Sequence, residues 1–159
     1  MQQEILTFGY EGLSVDAFIA RLRSADVETV VDVRANPISR KPGLSKSALA
    51  RNLTKAGMRY VHAVEMGCPK PVRDRYKSDG DWAAYTSAFL DYIADQKVPV
   101  AQMASIAKQS RSCLICFEAD YNFCHRTFVA RAAAPIVGAR VVHLTAKMSV
   151  VDRALRSAA

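Results

Sequence analysis

The 159-residue chain has no long apolar segment, no linker rich in glycine or serine and no internal repeat. Its hydrophobic runs are only a few residues long, whereas about 18 consecutive apolar residues are needed to cross a bilayer. Residues 1–4 also lack the basic start and the apolar stretch of a signal peptide. We therefore predict a cytoplasmic protein with no transmembrane helix and no membrane partner.

Cysteine and acidic residues are both scarce. The chain is long enough to build its own core and has no predicted export signal, which favours free thiols over disulfides for its four cysteines. The 15 Asp and Glu residues are outnumbered by 22 Lys and Arg residues, so the formal net charge is +7. Because a basic surface attracts polyanions, the composition indicates a phosphate-bearing small molecule or a nucleic acid as partner.

Short apolar segments rich in β-branched residues alternate with segments whose apolar residues recur at helical spacing. We predict strands at residues 5–8, 29–33, 58–62, 113–117 and 140–144, and helices at residues 13–22, 45–56, 82–94, 100–108, 127–136 and from Ser149 onward. Strands that are apolar on both faces are typical of a parallel sheet covered by helices on both sides. The sequence therefore predicts one α/β domain over residues 1–159, a three-layer sandwich with a mostly parallel, five-stranded, Rossmann-like sheet.

Aromatic residues are concentrated in the predicted helix 82–94. Trp82, Tyr85 and Phe89 recur there at helical spacing, and this pattern predicts a stripe buried in the core. The preceding residues, 66–81, are polar and contain two prolines, which predicts a long loop. A loop of this length often serves as a lid or a partner surface.

Unusual polar clusters follow three of the predicted strands. Ligands of open α/β sheets bind outside the carboxyl ends of the strands, where the strand order reverses. We therefore expect these clusters to converge on one crevice. They comprise Tyr10 and Glu11 after the first strand, Asp32, Arg34 and Arg40 at and after the end of the second, and Glu118, Cys124, His125 and Arg126 after the fourth.

The glycines beside the first cluster do not form a known phosphate loop. Gly9 and Gly12 lack the third glycine of a dinucleotide fingerprint, and no Gly-Lys-Ser or Gly-Lys-Thr sequence of a P-loop is present. We therefore predict no nucleotide cofactor.

The second cluster opens a strongly basic segment. Residues 34–59 contain seven basic residues and no acidic one. Arg34 and Arg40 lie close to prolines, before the next predicted helix, and a guanidinium group suits phosphate or carboxylate. Arg34 also shares a strand face with Asp32, because the two residues are two positions apart. An internal ion pair and a functional pair therefore both stay open.

The third cluster combines a thiol, an imidazole and a guanidinium group before a predicted helix, which Asn122 would cap. The pKa of the Cys124 thiol would be lowered by the helix N-terminus and by Arg126; a small structural cysteine is the alternative. Cys116, Cys124 and His125 also carry metal-ligating atoms, but their spacing matches no familiar motif. We therefore predict no metal site.

Several sequence motifs together resemble the bacterial and archaeal family called domain of unknown function 488. The motifs are TFGYEG at residues 7–12, DVR at 32–34, SRKPG at 39–43, GMRYVH at 57–62, CFEAD at 116–120 and CHR at 124–126. The resemblance extends from about residue 5 to residue 145. It implies an α/β fold and supports the same strand-end residues, but it implies no settled reaction.

We predict an enzyme that acts on a phosphate-bearing substrate, with a nucleotide or nucleic acid favoured. A hydrolase-like activity is favoured, and the reaction could be at phosphorus or at a glycosidic carbon. Arg34, Arg40 and Arg126 would bind the anion together with Tyr10 and Glu11, whereas Asp32 and Glu118 would be the acid and base, assisted by Cys124 or His125.

Two other functional classes fit the sequence. One is a non-catalytic nucleic-acid-binding module, in which the basic segment contacts the phosphate backbone and the strand-end pairs are structural. The other is a thiol-dependent enzyme or a redox sensor that uses Cys124.

Overall fold

The computed structural model describes residues 2–153 and contains one open six-stranded sheet. The strands are β1 (Glu4–Gly9), β2 (Thr29–Asp32), β3 (Arg59–His62), β4 (Ser112–Cys116), β5 (Arg140–Leu144) and β6 (Ser149–Val151). The helices are α1 (Val15–Ser24), α2 (Lys46–Lys55), α3 (Lys70–Asp79), α4 (Trp82–Ala94), α5 (Lys97–Gln109) and α6 (His125–Ala133). Short 3-10 helices span Val64–Met66, Tyr121–Phe123 and Ala134–Val137.

The strand order is β3-β2-β4-β1-β5-β6, and every neighbouring pair is parallel except β5 and β6. Alternate strand residues point to two separate cores. Ile5, Val31 and Leu114 pack on one face with α4, α5 and α6, whereas Leu6 and Val30 pack on the other face with α1 and α2. The predicted three-layer α/β sandwich is thus confirmed.

The sheet has six strands, not the predicted five. Ser149–Val151 forms the antiparallel edge strand β6 and does not begin a helix. A tight turn explains the difference, because the Thr145 N–H donates to the Met148 carbonyl at 2.8 Å and folds Val150 and Val151 back onto β5. The rest of the predicted terminal helix, residues 154–159, lies outside the described residues.

The predicted long loop 66–81 contains the helix α3. No residue of α3 is fully buried, so this helix lacks the apolar stripe from which the other helices were predicted. Exposed pairs four residues apart support it instead: Lys70 lies 2.6 Å from Asp74, and Arg75 lies 3.2 Å from Asp79. Gly80, with φ of 63°, ends the helix.

Helix α6 begins at His125, two residues before the predicted start, and Cys124 is its N-cap residue. Asn122 is not the cap; it lies in the preceding 3-10 helix, where its N–H donates to Asp120. The start at His125 places the CHR motif on the first turn of the helix. Within residues 2–153, no helix combines the length and the apolar character needed to cross a membrane.

Candidate functional site

The carboxyl ends of β2, β4 and β1 meet at the centre of the sheet, because these strands are neighbours. The chain leaves β1 and β2 toward α1 and α2 on one face, whereas it leaves β4 toward α6 on the other. A cavity of about 600 Å³ opens at this edge, which is within the usual size range of small-molecule sites. The position is the one expected for a ligand of an open α/β sheet.

Five of the nine sequence-predicted site residues line this cavity. They are Tyr10, Arg34, Arg40, Glu118 and His125. Asp32, Cys124 and Arg126 are buried behind the lining. Glu11 is exposed, and its carboxylate accepts a hydrogen bond of 3.0 Å from the N–H of Ala119. The three clusters therefore converge, but they contribute to the cavity wall unequally.

Asp32 and Arg34 form a fully hydrogen-bonded internal pair. Their charged groups lie 2.7 Å apart, and Asp32 also accepts a hydrogen bond of 2.6 Å from the Tyr60 hydroxyl. Arg34 donates its remaining hydrogen bonds to the Leu44 carbonyl at 2.7 Å and to the Tyr10 hydroxyl at 3.3 Å. Burial opposes the charge of Arg34, but the bonds to Asp32 outweigh it and raise the pKa of the guanidinium. These contacts fix the start of the basic segment against the sheet.

Arg126 holds the loop between β4 and α6. Its side chain is fully buried, and Nη1 donates to the Glu118 carbonyl at 2.5 Å. Its Nε and Nη2 atoms have no hydrogen-bond partner among residues 2–153. Gly9 also lies against this carbonyl, since a Cβ atom at this position would overlap the Glu118 oxygen. The backbone of Glu118 is thus clamped between β1 and α6.

Cys116, Cys124 and His125 form a buried cluster beside the cavity. Their ligating atoms all lie within 4.8 Å of one another. Cys116 ends β4, and the turn into α6 returns the chain so that Cys124 and His125 face it. The His125 Nε2 atom lies 2.7 Å from the Val33 carbonyl, and Nδ1 lies 3.9 Å from the Cys116 sulfur. Cys116 and His125 line the cavity directly.

The cluster has strongly shifted acidities. Burial raises the pKa of the Cys124 thiol, but hydrogen bonds with Cys116 and His125 outweigh it and hold the pKa well below its usual value. Burial lowers the pKa of His125, but the hydrogen bond with Cys124 and the charge of Cys124 outweigh burial and raise it. Burial, together with the charge of Cys124, raises the pKa of Glu118 to about 7. One carboxyl oxygen of Glu118, Oε2, is buried without a hydrogen-bond partner in residues 2–153.

Sequence reasoning missed several other residues that line the cavity. The side chains concerned are Cys68, Arg73, Tyr76, Lys77, Trp82, Tyr85, Phe117 and Phe123. Tyr85 and Phe89 are buried as predicted, but Trp82 is only half-buried, and its ring lies 4.7 Å from Tyr85 and 5.5 Å from Phe123. Arg73, Tyr76 and Lys77 are spaced so that they share one face of a helix. Because this region was predicted to be a loop, that spacing was not recognised.

The fold is an open α/β sheet with a cavity at the carboxyl edge of its strands. The chain belongs to the family described as Domain of unknown function DUF488, whose profile matches residues 14–133. The resemblance found in the sequence motifs is thus confirmed. No curated protein and no solved structure matches the chain.

Proposed function

We propose that the protein is an enzyme that binds a nucleotide, or a nucleotide unit of a nucleic acid, in the cavity at the sheet edge. The observation that carries this proposal is the composition of that cavity, in which cationic side chains and aromatic rings surround a carboxyl group. A nucleotide presents the matching chemistry, with an anionic phosphate, an aromatic base and bonds that acid and base catalysis can break.

The cationic side chains supply the phosphate site. Arg40 and Lys77 are exposed and have no ion-pair partner among residues 2–153. Arg73 donates its Nε–H to the Cys68 carbonyl at 3.0 Å, and its other two guanidinium nitrogens make no hydrogen bond to residues 2–153. Glu118 is the one acidic residue lining the cavity in the described part of the chain. The excess of positive charge favours an anionic group there.

The aromatic side chains supply a surface for a base. Phe123 is 50% exposed and lies against the half-buried ring of Trp82. Phe117, on the β1 side of the cavity, is 43% exposed and contacts Tyr10 edge to face at 5.5 Å. Large apolar rings exposed in a cavity favour stacking with a planar ligand, at about 1–3 kcal/mol per base.

Glu118 is the residue we assign to acid or base chemistry. Its side chain lines the cavity, and its Oε2 atom is free to accept or donate a proton. Its backbone carbonyl is held by contacts with Gly9 and Arg126, which keep the residue at the edge of the cavity. Asp32 differs, because its carboxylate is occupied by Arg34 and Tyr60; we assign it to positioning Arg34.

Binding of nucleotides and of short single-stranded and double-stranded DNA and RNA, measured by fluorescence polarisation over a salt series, tests the phosphate site. We expect Arg40→Ala and Lys77→Ala each to weaken binding about tenfold, the effect of one lost charge-assisted hydrogen bond. Lys108→Ala is the matched control, because Lys108 is exposed and does not line the cavity. Equal affinity in all four proteins, or no binding at all, would contradict the proposal.

Turnover of the bound ligand tests the chemistry. We expect Glu118→Gln to bind with unchanged affinity and to lose product formation, measured by chromatography of the reaction mixture. Binding without turnover in the wild-type protein would instead favour a non-catalytic nucleic-acid-binding module.

A further inference from the structure

The buried cluster of Cys116, Cys124 and His125 has the donor set of a transition-metal site. Two sulfurs and one imidazole nitrogen suit zinc, whereas magnesium and calcium prefer oxygen ligands. A tetrahedral zinc ion with Zn–S near 2.3 Å and Zn–N near 2.0–2.1 Å holds its ligand atoms about 3.6–3.8 Å apart. The Cys116 sulfur and His125 Nδ1 are 3.9 Å apart, and no pair of ligating atoms exceeds 4.8 Å. Small side-chain rotations would close this set around an ion.

The orientation of His125 also suits a metal ligand. A backbone carbonyl can only accept a hydrogen bond, so the contact of 2.7 Å with Val33 places the proton of the neutral imidazole on Nε2. In this neutral form, the unprotonated Nδ1 faces the two sulfurs. Metal-bound histidines almost always donate their second ring N–H to a carbonyl or carboxylate in this way.

The fold presents the three ligands before any ion arrives. Cys116 is 6%, Cys124 2% and His125 6% exposed, and each occupies a fixed position at the end of β4 or the start of α6. A preformed, buried set of this kind costs little conformational entropy to complete.

We propose that Cys116, Cys124 and His125 bind one zinc ion whose fourth coordination position faces the cavity. Cys116 and His125 line the cavity, and so does Glu118, whose Oε2 has no hydrogen-bond partner in residues 2–153. Three protein ligands and one open position are the arrangement of catalytic zinc sites, in which the fourth ligand is water or substrate. Zinc binding releases to solvent the protons that remain on the two thiols and on His125 Nδ1. The site goes beyond the proposed function and does not depend on the nature of the substrate.

Metal content and affinity test the site directly. The full-length protein, purified under reducing conditions, is stripped with a chelator and titrated with Zn²⁺ against a chromophoric competitor. We expect one zinc ion per chain, and a loss of affinity greater than 100-fold in Cys124→Ser and His125→Ala, since loss of an outer-shell partner alone costs about 10–100-fold. Cys113→Ser is the matched control, because Cys113 is equally buried but packs in the core on the other sheet face.

Cobalt substitution tests the site in the wild-type protein, so it does not depend on whether a variant folds. In the wild-type protein, we expect Co²⁺ to give intense visible bands of a tetrahedral site and a near-ultraviolet band of thiolate ligation. Fully reduced wild-type protein that binds no zinc, or zinc bound equally by Cys113→Ser and a folded Cys124→Ser, would overturn the proposal. None of these measurements uses a nucleotide, so their failure is distinct from failure of the proposed function.

Discussion

At the level of single residues, one wall of the cavity is built on a nearly buried ion pair. Asp32 is fully buried and Arg34 is 5% exposed. A buried charge pair contributes little net stability, but loss of one partner leaves the other charge without compensation. Together with the hydrogen bonds of Arg34 to Tyr10 and Leu44, the pair fixes the start of the basic segment.

We predict that Asp32→Asn lowers the free energy of unfolding by about 3–5 kcal/mol, because the Arg34 charge would stay buried without a carboxylate. The measurement is urea denaturation followed by circular dichroism. Asp74→Asn, which breaks the exposed pair with Lys70, is the control and should leave the unfolding midpoint unchanged. Identical midpoints for Asp32→Asn and the wild type would show that the pair is dispensable.

At the level of secondary-structure elements, two serines occupy the same helix position but make different contacts. Ser14 caps α1 conventionally, since its hydroxyl accepts a hydrogen bond of 3.1 Å from the Ala17 N–H. Ser45 makes no such cap bond to α2. Its hydroxyl instead accepts from the N–H of Ser39 at 3.0 Å and donates to the carbonyl of Ser39 at 3.1 Å. Ser45 therefore closes the loop that carries Arg40.

Ser14→Ala and Ser45→Ala should consequently have different effects. We expect Ser14→Ala to lower stability by about 1 kcal/mol, the usual value of an N-cap, with unchanged ligand binding. We expect Ser45→Ala to lower stability by a similar amount and also to weaken nucleotide binding severalfold, because the loop at Arg40 loses its anchor. Thermal unfolding and fluorescence polarisation on the same samples separate the two effects. Parallel losses of binding in both variants would contradict this assignment.

Elements with an apolar stripe were predictable from the sequence, whereas elements stabilised by polar contacts were not. The strand at Thr29–Asp32 is β-branched and fully buried, so its pattern was clear. Helix α3 has no buried side chain, and β6 depends on a turn at residues 145–148. Charged side-chain pairs support α3, and turn geometry positions β6. Hydrophobic periodicity detects neither feature.

The candidate site divides in the same way. Glu118 and Arg40 were predictable because polar residues at strand ends are conspicuous. Trp82 was not, since the spacing of a core stripe is the same whether or not its first ring borders a cavity. The proximity of Cys116 and Cys124 also required the fold, because the turn between β4 and α6 determines it.

At the level of the whole molecule, a polar network joins the last strand to the body of the protein. Asp152, just after β6, receives two hydrogen bonds from Arg131 of α6, at 2.8 and 2.9 Å. His143 of β5 is fully buried between this carboxylate, 3.5 Å away, and the Thr7 hydroxyl at 2.7 Å. Tyr121 stacks on its ring at 4.0 Å.

This network should make stability depend on pH. Burial lowers the pKa of His143 from 6.5 to about 4, outweighing the attraction of Asp152, and the charges of Arg126 and Arg131 act in the same direction as burial. The unfolded chain therefore binds the proton first as the pH falls. The contribution of neutral His143 to the free energy of unfolding is complete above pH 6.5. About 3 kcal/mol of it is lost as the pH falls from 6.5 to 4.

The measurement is the difference between the unfolding free energies of the wild type and His143→Gln, followed from pH 7.5 to pH 4. We expect the wild type to lose about 3 kcal/mol relative to His143→Gln as the pH falls, because glutamine does not titrate. A difference that stays constant across this range would show that His143 keeps its ordinary acidity in the folded protein.

The cavity walls come from opposite faces of the sheet. The loop with Arg40 leads into α2 on one face, whereas Trp82 and Lys77 belong to helices on the other. A ligand that fills the cavity therefore bridges two layers that unfolding would separate, and a ligand at 100 times its dissociation constant adds about 2.7 kcal/mol of stability. The melting temperature thus provides a label-free binding assay. Metabolites can be ranked by the increase in melting temperature that each one causes, without knowledge of the reaction.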